Sequence, residues 1–157
     1  PEKLSPFFIT NARADKPLPL SGDGKNVRSW IHVDDHSRAV MEVILNGRSG
    51  EVYNIGGAPE SEKENVDVTQ MILKHLDKPE TLVKYVEDRL GHDRRYAVDY
   101  SKVKAEFGWE PEIDFESGLA STIEWYLENR DWWQSVMSGA YQNFYQNYYG
   151  ERLEAAQ

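Results

Sequence analysis

The sequence predicts a mixed α/β domain with more helix than strand. Several segments carry apolar residues three and four positions apart, which is the spacing of an amphipathic helix. Between them lie short runs of β-branched and aromatic residues bounded by glycine or proline, which are typical of short strands. A chain of 157 residues is long enough to bury a hydrophobic core as one domain.

The composition narrows the classes of function. The chain has no cysteine, which excludes disulfides and thiolate metal sites and fits the cytoplasm. No apolar run approaches the ~18 residues of a membrane span. The net charge of -9 opposes binding to nucleic acid, so neither nucleic acid nor a membrane is an expected partner. Because the first residue is Pro1 rather than methionine, we expect a fragment or a processed piece of a longer protein.

The N-terminal segment predicts one helix followed by an extended strand. Leu4, Phe7, Phe8 and Ala12 share one face at helical spacing. Residues 16–20 include two prolines, which cannot donate ladder hydrogen bonds, so this segment is expected to be an edge strand or an extended segment.

Residues 22–35 combine a turn, a strand and a helix start. The two glycines of Gly22-Asp23-Gly24 permit the positive φ of a tight reversal. The residue types at 30–33 favour a strand. Either Asp34 or Asp35 is expected to cap the following helix, which should end at Asn46-Gly47.

The rest of the chain continues the alternation of strands and helices. Strands are expected at residues 51–55, 82–86 and 97–98. Helices are expected from 68 to 76, from Ser101 to Gly108, and from Asp114 onward. Residues 58–65 carry a proline and a run of charged residues, which predicts a mobile loop. The C-terminal segment is rich in tryptophan and tyrosine, and such side chains usually pack against a neighbour.

Arginines give the strongest binding signal in this acidic chain. Arg89, Arg94 and Arg95 flank Gly91 and His92, and forked guanidinium donors suit phosphate. The alternative is that the nearby aspartates neutralise them as surface pairs; these are Asp88, Asp93 and Asp99.

Arg28 is a second candidate for anion binding. It enters the predicted strand from the turn, where a guanidinium can hold a phosphate or a carboxylate. The alternative is a surface ion pair with Asp34 or Asp35.

Two short motifs do not indicate catalysis or cofactor binding. Gly22-Asp23-Gly24 lacks a third glycine and precedes a strand rather than a helix, so it is not a dinucleotide fingerprint. Tyr100 and Lys104 match a Tyr-x-x-x-Lys pair, but so short a pattern arises easily by chance. No His, Asp and Glu cluster has metal-ligand spacing.

Six motifs in a fixed order carry a resemblance to a known family. They are Pro1-Glu2-Lys3-Leu4, Arg28-Ser29-Trp30, Tyr53-Asn54-Ile55-Gly56-Gly57, Arg89-Leu90-Gly91-His92-Asp93-Arg94-Arg95-Tyr96, Phe107-Gly108-Trp109-Glu110-Pro111 and Glu124-Trp125-Tyr126-Leu127. From residue 1 to about residue 150 the chain resembles the C-terminal half of the dTDP-glucose 4,6-dehydratase family, within the extended short-chain dehydrogenases/reductases.

The resemblance implies a fold that is completed by another part of the protein. It implies a small mixed α/β substrate-binding lobe, together with one strand and one helix of a Rossmann-type sheet whose N-terminal part is absent. The strand would be residues 51–55 and the helix would start at Asp34, and both would expose apolar surface. NAD, its glycine-rich loop and the catalytic residues would belong to the N-terminal half, so no catalytic, cofactor-binding or metal residue is expected in this chain.

The resemblance also implies which residues bind the nucleotide-sugar substrate. Carried over by position, they are Lys3, Leu4, Pro19, Leu20, Ser21, Arg28, Asn65, Arg89 and His92. Arg28 would contact the diphosphate with Asn65 nearby, while Arg89 and His92 would close over the diphosphate and the nucleoside.

Three positions depart from the family pattern. Ser29 replaces the acid of the usual Arg-Asp-Trp, and Leu90 replaces the proline of the usual Arg-Pro-Gly-His, which loosens the loop that presents Arg89 and His92. The loop before Asn65 is about two residues longer than the family pattern, as judged from the resemblance.

The implied parent enzyme is an NAD-dependent lyase of dTDP-rhamnose biosynthesis and a homodimer. It oxidises C4 of the sugar, eliminates water across C5 and C6, and returns the hydride to C6. Residues 1–150 would be its nucleotide-sugar-binding portion, inactive alone, with residues 151–157 as a disordered tail. Two alternatives remain: a portion of a nucleotide-sugar epimerase or decarboxylase of the same family, and a natural non-catalytic binding protein that docks through its aromatic tail.

Overall fold

The computed structural model describes residues 3–137 and 139–154. Its helices are α1 (Leu4–Arg13), α2 (Val33–Asn46), α3 (Asn65–His75), α4 (Ser101–Phe107), α5 (Phe115–Glu128), α6 (Arg130–Val136) and α7 (Gly139–Glu154). Its strands are β1 (Leu18–Ser21), β2 (Val27–Ser29), β3 (Glu62–Glu64), β4 (Val83–Val86) and β5 (Arg95–Tyr96). This confirms the mixed α/β fold with more helix than strand.

The chain forms two compact units, and neither is a continuous stretch of sequence. The first comprises Pro1–Asn26, Glu64–Asp93 and Ala120–Gln157. The second comprises Val27–Lys63 and Arg94–Leu119.

The first unit is built on the parallel pair of β1 and β4. The register runs from Leu18 opposite Val83 to Ser21 opposite Val86. Leu18 and Leu20 are almost completely buried, so this short pair lies in the core. β1 tolerates Pro19 because one side of a strand in a two-stranded ladder needs no donor. The strands predicted for residues 16–20 and 82–86 are confirmed.

Two predicted helices and the aromatic tail pack around this pair. α1 contacts both β1 and α3, and it buries Phe7 and Phe8 as its apolar spacing predicts. α3 buries Val68 and Ile72 but begins at Asn65, three residues earlier than predicted. The ring of Tyr149 in α7 stacks on that of Phe7 with centroids 5.2 Å apart, which confirms that the aromatic tail packs against a neighbour.

The second unit contains the three-stranded sheet with order β3-β2-β5. β2 and β5 are parallel, with Val27 opposite Arg95. The strand predicted at residues 30–33 lies at Val27–Ser29 instead, and the one predicted at 97–98 lies at Arg95–Tyr96. Both predictions were displaced because the ladder partner, rather than β propensity, decides where a short strand forms.

The helix start at residues 32–35 differs from the prediction in its cap. His32 is the N-cap of α2, and its Nδ1 accepts a hydrogen bond from the Asp34 N–H at 3.3 Å. Asp35 is not a cap but a buried acceptor, with 2% of its surface exposed. α2 ends at Asn46 with Gly47 as the C-cap, as predicted.

Residues 58–65 do not form the mobile loop that their charge predicts. Pro59–Ser61 is a turn of 3-10 helix that leads directly into β3, and Ser61 is buried. The carbonyl oxygen of Ser61 accepts from the Trp30 N–H at 3.2 Å. The charges are paired rather than solvated, as Glu62 with Arg95 and Lys63 with Glu116 show.

Residues 51–55 form no strand in the described part of the chain, because no neighbouring strand offers them a ladder. Val52 is exposed, and so are four apolar residues of α2. Those four are Val33, Met41, Ile44 and Leu45. The apolar surface expected for this helix and segment is therefore present.

The remaining helix boundaries mostly follow their predicted signals. Gly108 ends α4 in the left-handed conformation with φ 69°, and the Asp114 carboxylate accepts from the Ser117 N–H at the start of α5. Ser101 does not cap α4; it is the first helical residue, and Asp99 accepts from its N–H at 2.7 Å. Residues 151–154 form the last turn of α7, while 155–157 lie outside the described residues. Among the described helices, none has the length and apolar character needed to cross a membrane.

Candidate functional site

The site begins where β1 and β4 end, at the same edge of the first unit. Because the strands are parallel, the turn after β1 and the loop after β4 leave the sheet together. The Gly22 N–H donates to the Val86 carbonyl oxygen at 2.9 Å, which joins the two loops at their start. Crevices at the carboxyl ends of parallel strands are the usual ligand sites of α/β folds.

The loop after β4 presents Arg89 and His92 around one carboxylate. The Oδ1 of Asp88 accepts from the Arg89 N–H at 2.9 Å and from Nδ1 of His92 at 2.6 Å. Gly91 turns the loop with φ 70°. Burial alone would raise the pKa of Asp88, but the hydrogen bonds from His92 and Arg89 and their charges lower it below 3.8.

Asn65 lies on the first residue of α3. Its N–H donates to the Asn26 carbonyl oxygen at 3.0 Å, and the Nδ2 of Asn26 donates to the Asp93 carbonyl oxygen at 3.2 Å. These bonds connect the start of α3 with the end of the loop that carries His92. The Oδ1 of Asn65 is buried without a hydrogen-bond partner among the described residues, which fits an amide oriented toward a ligand.

The other predicted residues of this unit differ in accessibility. Pro19 and Leu20 are buried, whereas Ser21 at the end of β1 is half-buried. Lys3 is the exposed N-cap of α1, and Leu4, half-buried, is its first residue. The side chains of Pro19 and Leu20 therefore support the edge of β1 rather than offer surface to a ligand.

Arg28 belongs to the second unit, in β2. Its Nη1 donates to the Val27 carbonyl oxygen at 2.7 Å, and the residue is half-buried. The predicted alternative was a pair with Asp34 or Asp35, but Asp34 lies 3.6 Å from Nδ1 of His32. Asp35 accepts from Arg38 and from two backbone N–H groups, so neither described acid pairs with Arg28.

Arg95, one of the three clustered arginines, is paired with a glutamate rather than with one of the nearby aspartates. Arg95 lies in β5 and donates two hydrogen bonds to Glu62, at 2.8 and 2.7 Å. The hydrogen bond from Arg95 lowers the pKa of Glu62, and the same pair raises that of Arg95. The sequence missed this partner because it lies 33 positions away.

The two short motifs that the sequence analysis set aside have contacts of their own in the described residues. Lys104 pairs with Glu110, and Tyr100 lies edge-on to Trp109 with centroids 5.6 Å apart. No group of three potential metal ligands occurs in the described part of the chain. The Gly22–Gly24 turn precedes β2 rather than opening a helix, and the Gly24 carbonyl oxygen accepts from the Val66 N–H of α3 at 2.9 Å.

Sequence reasoning missed two residues beside this loop. Asp88 was considered only as a surface partner of the arginines, although its spacing of four from His92 was visible. Tyr149 of α7 lies in the field of Arg89, which acts to lower the phenol pKa, while burial dominates and raises it.

A separate cavity of about 50 Å³ lies elsewhere in the first unit. It is lined mainly by apolar side chains, including Tyr126, Trp133 and Met137. Ligand pockets for molecules of nucleotide size measure roughly 300 Å³ or more, so this cavity is too small for a nucleotide.

The family model and the curated relative that match this chain are both described as 4,6-dehydratases. The family model described as GDP-mannose 4,6 dehydratase matches residues 1–122. A dTDP-glucose 4,6-dehydratase of Escherichia coli is 48% identical over 164 residues, covering 98% of this chain and 43% of that protein.

Two solved structures have the same fold over most of the chain. The dTDP-glucose 4,6-dehydratase of Bacillus anthracis in complex with NAD gives a TM-score of 0.79 at 51% identity, and covers 87% of this chain and 42% of its own. DesIV of Streptomyces venezuelae, a dTDP-glucose 4,6-dehydratase solved with NAD and TYD bound, gives 0.81 at 46% identity with the same coverages. The chain thus spans less than half the length of the relatives it matches.

Proposed function

Since the chain belongs to the GDP-mannose 4,6-dehydratase family and corresponds to the C-terminal part of Rossmann-type dTDP-glucose 4,6-dehydratases, we propose that it is the nucleotide-sugar-binding portion of such an enzyme. The substrate is dTDP-glucose, and the reaction is the removal of water across C5 and C6 of the sugar. NAD supplies transient oxidation at C4 and is held by the N-terminal part of the protein.

One observation in the structure carries this proposal. Arg89 and His92 both contact Asp88 in the loop after β4, and Asn65 is linked to the end of that loop through Asn26 and Asp93. The loop thus carries an exposed arginine and an imidazole, and the linked start of α3 carries a buried amide oxygen that has no partner among the described residues. Guanidinium and imidazole donors suit a diphosphate, and an amide can accept from a hydroxyl group of the nucleoside or the sugar.

The proposal assigns substrate binding to this chain and catalysis to the N-terminal half of the protein. Transfer of a hydride needs the nicotinamide, and elimination needs a positioned proton carrier. In this proposal both belong to the N-terminal half, so this chain alone binds without turning over. Its natural partner is the N-terminal half of the protein, and the complete enzyme is a homodimer.

The first test uses the complete protein that carries this chain. Incubation with dTDP-glucose and NAD should give the 4-keto-6-deoxy sugar nucleotide. The product is detected by mass spectrometry and by the absorbance of the keto sugar in alkali. Conversion to the galactose epimer, without loss of water, would assign the chain to an epimerase instead. Arg28→Ala should lower kcat/KM by roughly 10- to 100-fold, the loss of a charged hydrogen bond of about 1.5–3 kcal/mol.

The second test uses the 157-residue chain alone. Only one wall of the pocket is then present, so dTDP should bind in the high micromolar to millimolar range, about -4 to -6 kcal/mol. Calorimetric titration should show at least tenfold weaker binding for Arg89→Ala, as expected for a charged contact. Arg13→Ala, which removes an exposed arginine of α1, is the matched control and should bind as the unchanged chain does. Dehydratase turnover by the chain alone would contradict the proposed division.

A further inference from the structure

Residues 52–55 have the burial pattern of a strand but no strand beside them. Tyr53 and Ile55 are half-buried whereas Val52 and Asn54 are exposed, so alternate residues face opposite sides as in an extended chain. Within the described part of the chain, no backbone group of this segment has a backbone hydrogen-bond partner. Ordering an unpaired segment costs conformational entropy, which contacts of another kind must offset.

One ammonium group of α4 supplies such contacts to three consecutive residues. The Nζ of Lys102 donates to Oε2 of Glu51 at 2.8 Å and to the carbonyl oxygen of Val52, also at 2.8 Å. The same nitrogen lies 4.3 Å from the centroid of the Tyr53 ring, which is a cation–π distance. The hydrogen bond and the charge of Lys102 lower the pKa of Glu51 below its usual value, so the two groups attract each other as ions at neutral pH.

Glu106, one turn further along α4, holds the other end of the Tyr53 side chain. Its Oε2 accepts from the Tyr53 hydroxyl at 2.9 Å, and its Oε1 accepts from Nη2 of Arg48 at 2.7 Å. The Tyr53 hydroxyl oxygen in turn accepts from the Arg48 N–H at 3.1 Å. Lys102 and Glu106 are four positions apart and therefore lie on the same face of the helix. The two side chains thus hold residues 51–53 through separate contacts.

The unpaired backbone of this segment is suited to receiving another β-strand. A row of N–H and carbonyl groups without ladder partners is the feature to which a further strand adds. Val52 is 77% exposed, so its apolar side chain also lacks a covering layer among the described residues. The chain covers 43% of a relative that is 48% identical to it, and the proposed function accordingly assigns it to a longer protein.

We propose that Lys102 is a positioning residue which, together with Glu106, keeps residues 51–55 extended before any strand pairs with them. The segment then receives a β-strand from the N-terminal part of the complete protein. The inference rests on the proposed function, which places this chain in a longer enzyme. The resemblance implies that residues 51–55 belong to a Rossmann-type sheet, but it assigns no role to α4. Holding the segment extended in advance reduces the entropy that is lost when the strand pairs.

The first measurement uses the 157-residue chain without any nucleotide. Backbone carbon chemical shifts of residues 52–55 should indicate an extended conformation, and Lys102→Ala should move them most of the way to random-coil values. Lys104→Ala is the matched control, because Lys104 also lies on α4 but pairs with Glu110, and it should leave these shifts unchanged. Lys102→Arg should keep the extended shifts, since a guanidinium can donate to the same oxygens and lie over the ring.

The second measurement is hydrogen exchange in the complete protein. The amides of residues 52–55 should exchange at least about tenfold more slowly there than in the 157-residue chain, because strand pairing protects them. Lys102→Ala should raise their exchange rate in the complete protein about three- to tenfold, as expected for the loss of one net hydrogen bond. Lys104→Ala should leave that rate within about twofold.

Three outcomes would overturn the inference. Unchanged chemical shifts in Lys102→Ala, or equal changes in Lys104→Ala, would refute the role of Lys102. Equally fast exchange in the complete protein and in the 157-residue chain would refute the pairing with a further strand. Protection that rises with the concentration of the 157-residue chain would show that a second copy supplies the strand. Neither measurement involves the sugar nucleotide, so absence of dehydratase activity would refute the proposed function alone.

Discussion

Substitution of Asp35 by alanine should lower the free energy of unfolding by about 3–5 kcal/mol. The carboxylate, 2% exposed, accepts from the N–H groups of Glu112 and Ile113 at 3.1 and 2.9 Å and from Arg38 at 2.5 Å. Alanine leaves two backbone donors without an acceptor, at about 1–3 kcal/mol each. Arg38 contributes less to the loss, because it is partly exposed and keeps Glu112 at 3.0 Å.

The matched control is the neighbouring acid. Asp34 has a side chain that is 79% exposed, so Asp34→Ala should cost less than about 1 kcal/mol. Urea unfolding followed by tryptophan fluorescence measures both variants. Equal losses at the two positions, or a loss below about 1 kcal/mol for Asp35→Ala, would refute the assignment of Asp35 as the buried acceptor.

The same carboxylate predicts a dependence on pH. Burial would raise the pKa of Asp35, but the hydrogen bonds from Ile113, Arg38 and Glu112 prevail and hold it below its usual value. Because the folded-state pKa is lowered, the contribution of Asp35 to stability is fully present above its unfolded pKa, about 3.9. This contribution is lost as the pH falls through the folded-state pKa. The unsubstituted protein should lose stability as the pH falls from about 4 toward the folded-state pKa of Asp35. The side chain of Asp35→Asn does not titrate, so the stability of this variant should fall less over the same range. If the free energy of unfolding of Asp35→Asn fell with acid as steeply as that of the unsubstituted protein, the prediction would be contradicted.

Two further predictions concern backbone geometry. Gly57→Ala should destabilise the second unit by about 2 kcal/mol or more, because the new Cβ would lie 1.8 Å from the Trp30 carbonyl oxygen. Gly50→Ala meets no atom within 4 Å and should cost only the roughly 1 kcal/mol of its positive φ, so equal effects in urea unfolding would contradict the steric argument. Leu90→Pro should tighten dTDP binding to the complete protein about two- to fivefold in calorimetry, because Leu90 is fully exposed and proline reduces the freedom of the unbound loop. Weaker binding would show that the loop needs its present freedom.

The sequence predicted helices better than strands. The apolar spacing of α1 and the start signal of α5 depend on residues within one or two turns, so they can be recognised locally. β2 and β5 are only three and two residues long, and their positions depend on each other across the sheet. Nothing local marks Arg95 as the partner of Val27.

The site was predictable in part. The loop after β4 and its charged residues could be located from the sequence, and the resemblance added Asn65. The partners of the charged residues could not be predicted from the sequence. Glu62 contacts Arg95, and Asp35 accepts from the N–H groups of residues 112 and 113, only in the folded chain. The charge run at residues 58–65 was misjudged for the same reason, since a charged segment is ordered wherever the fold supplies partners.

The acidity of the chain does not prevent it from binding an anion. At physiological ionic strength charges are screened beyond about 8 Å, so most of the net charge of -9 has little effect on a diphosphate at one loop. Binding of a diphosphate depends on the hydrogen-bond donors that lie within contact distance of it. Arg95 is already neutralised by Glu62, and Asp88 is bound to His92. The composition therefore disfavours long polyanions, whose many phosphates would extend over the acidic surface, more than a ligand with two phosphates. The same argument makes Arg89 and His92, rather than the arginine cluster as a whole, the positions at which substitution should alter affinity.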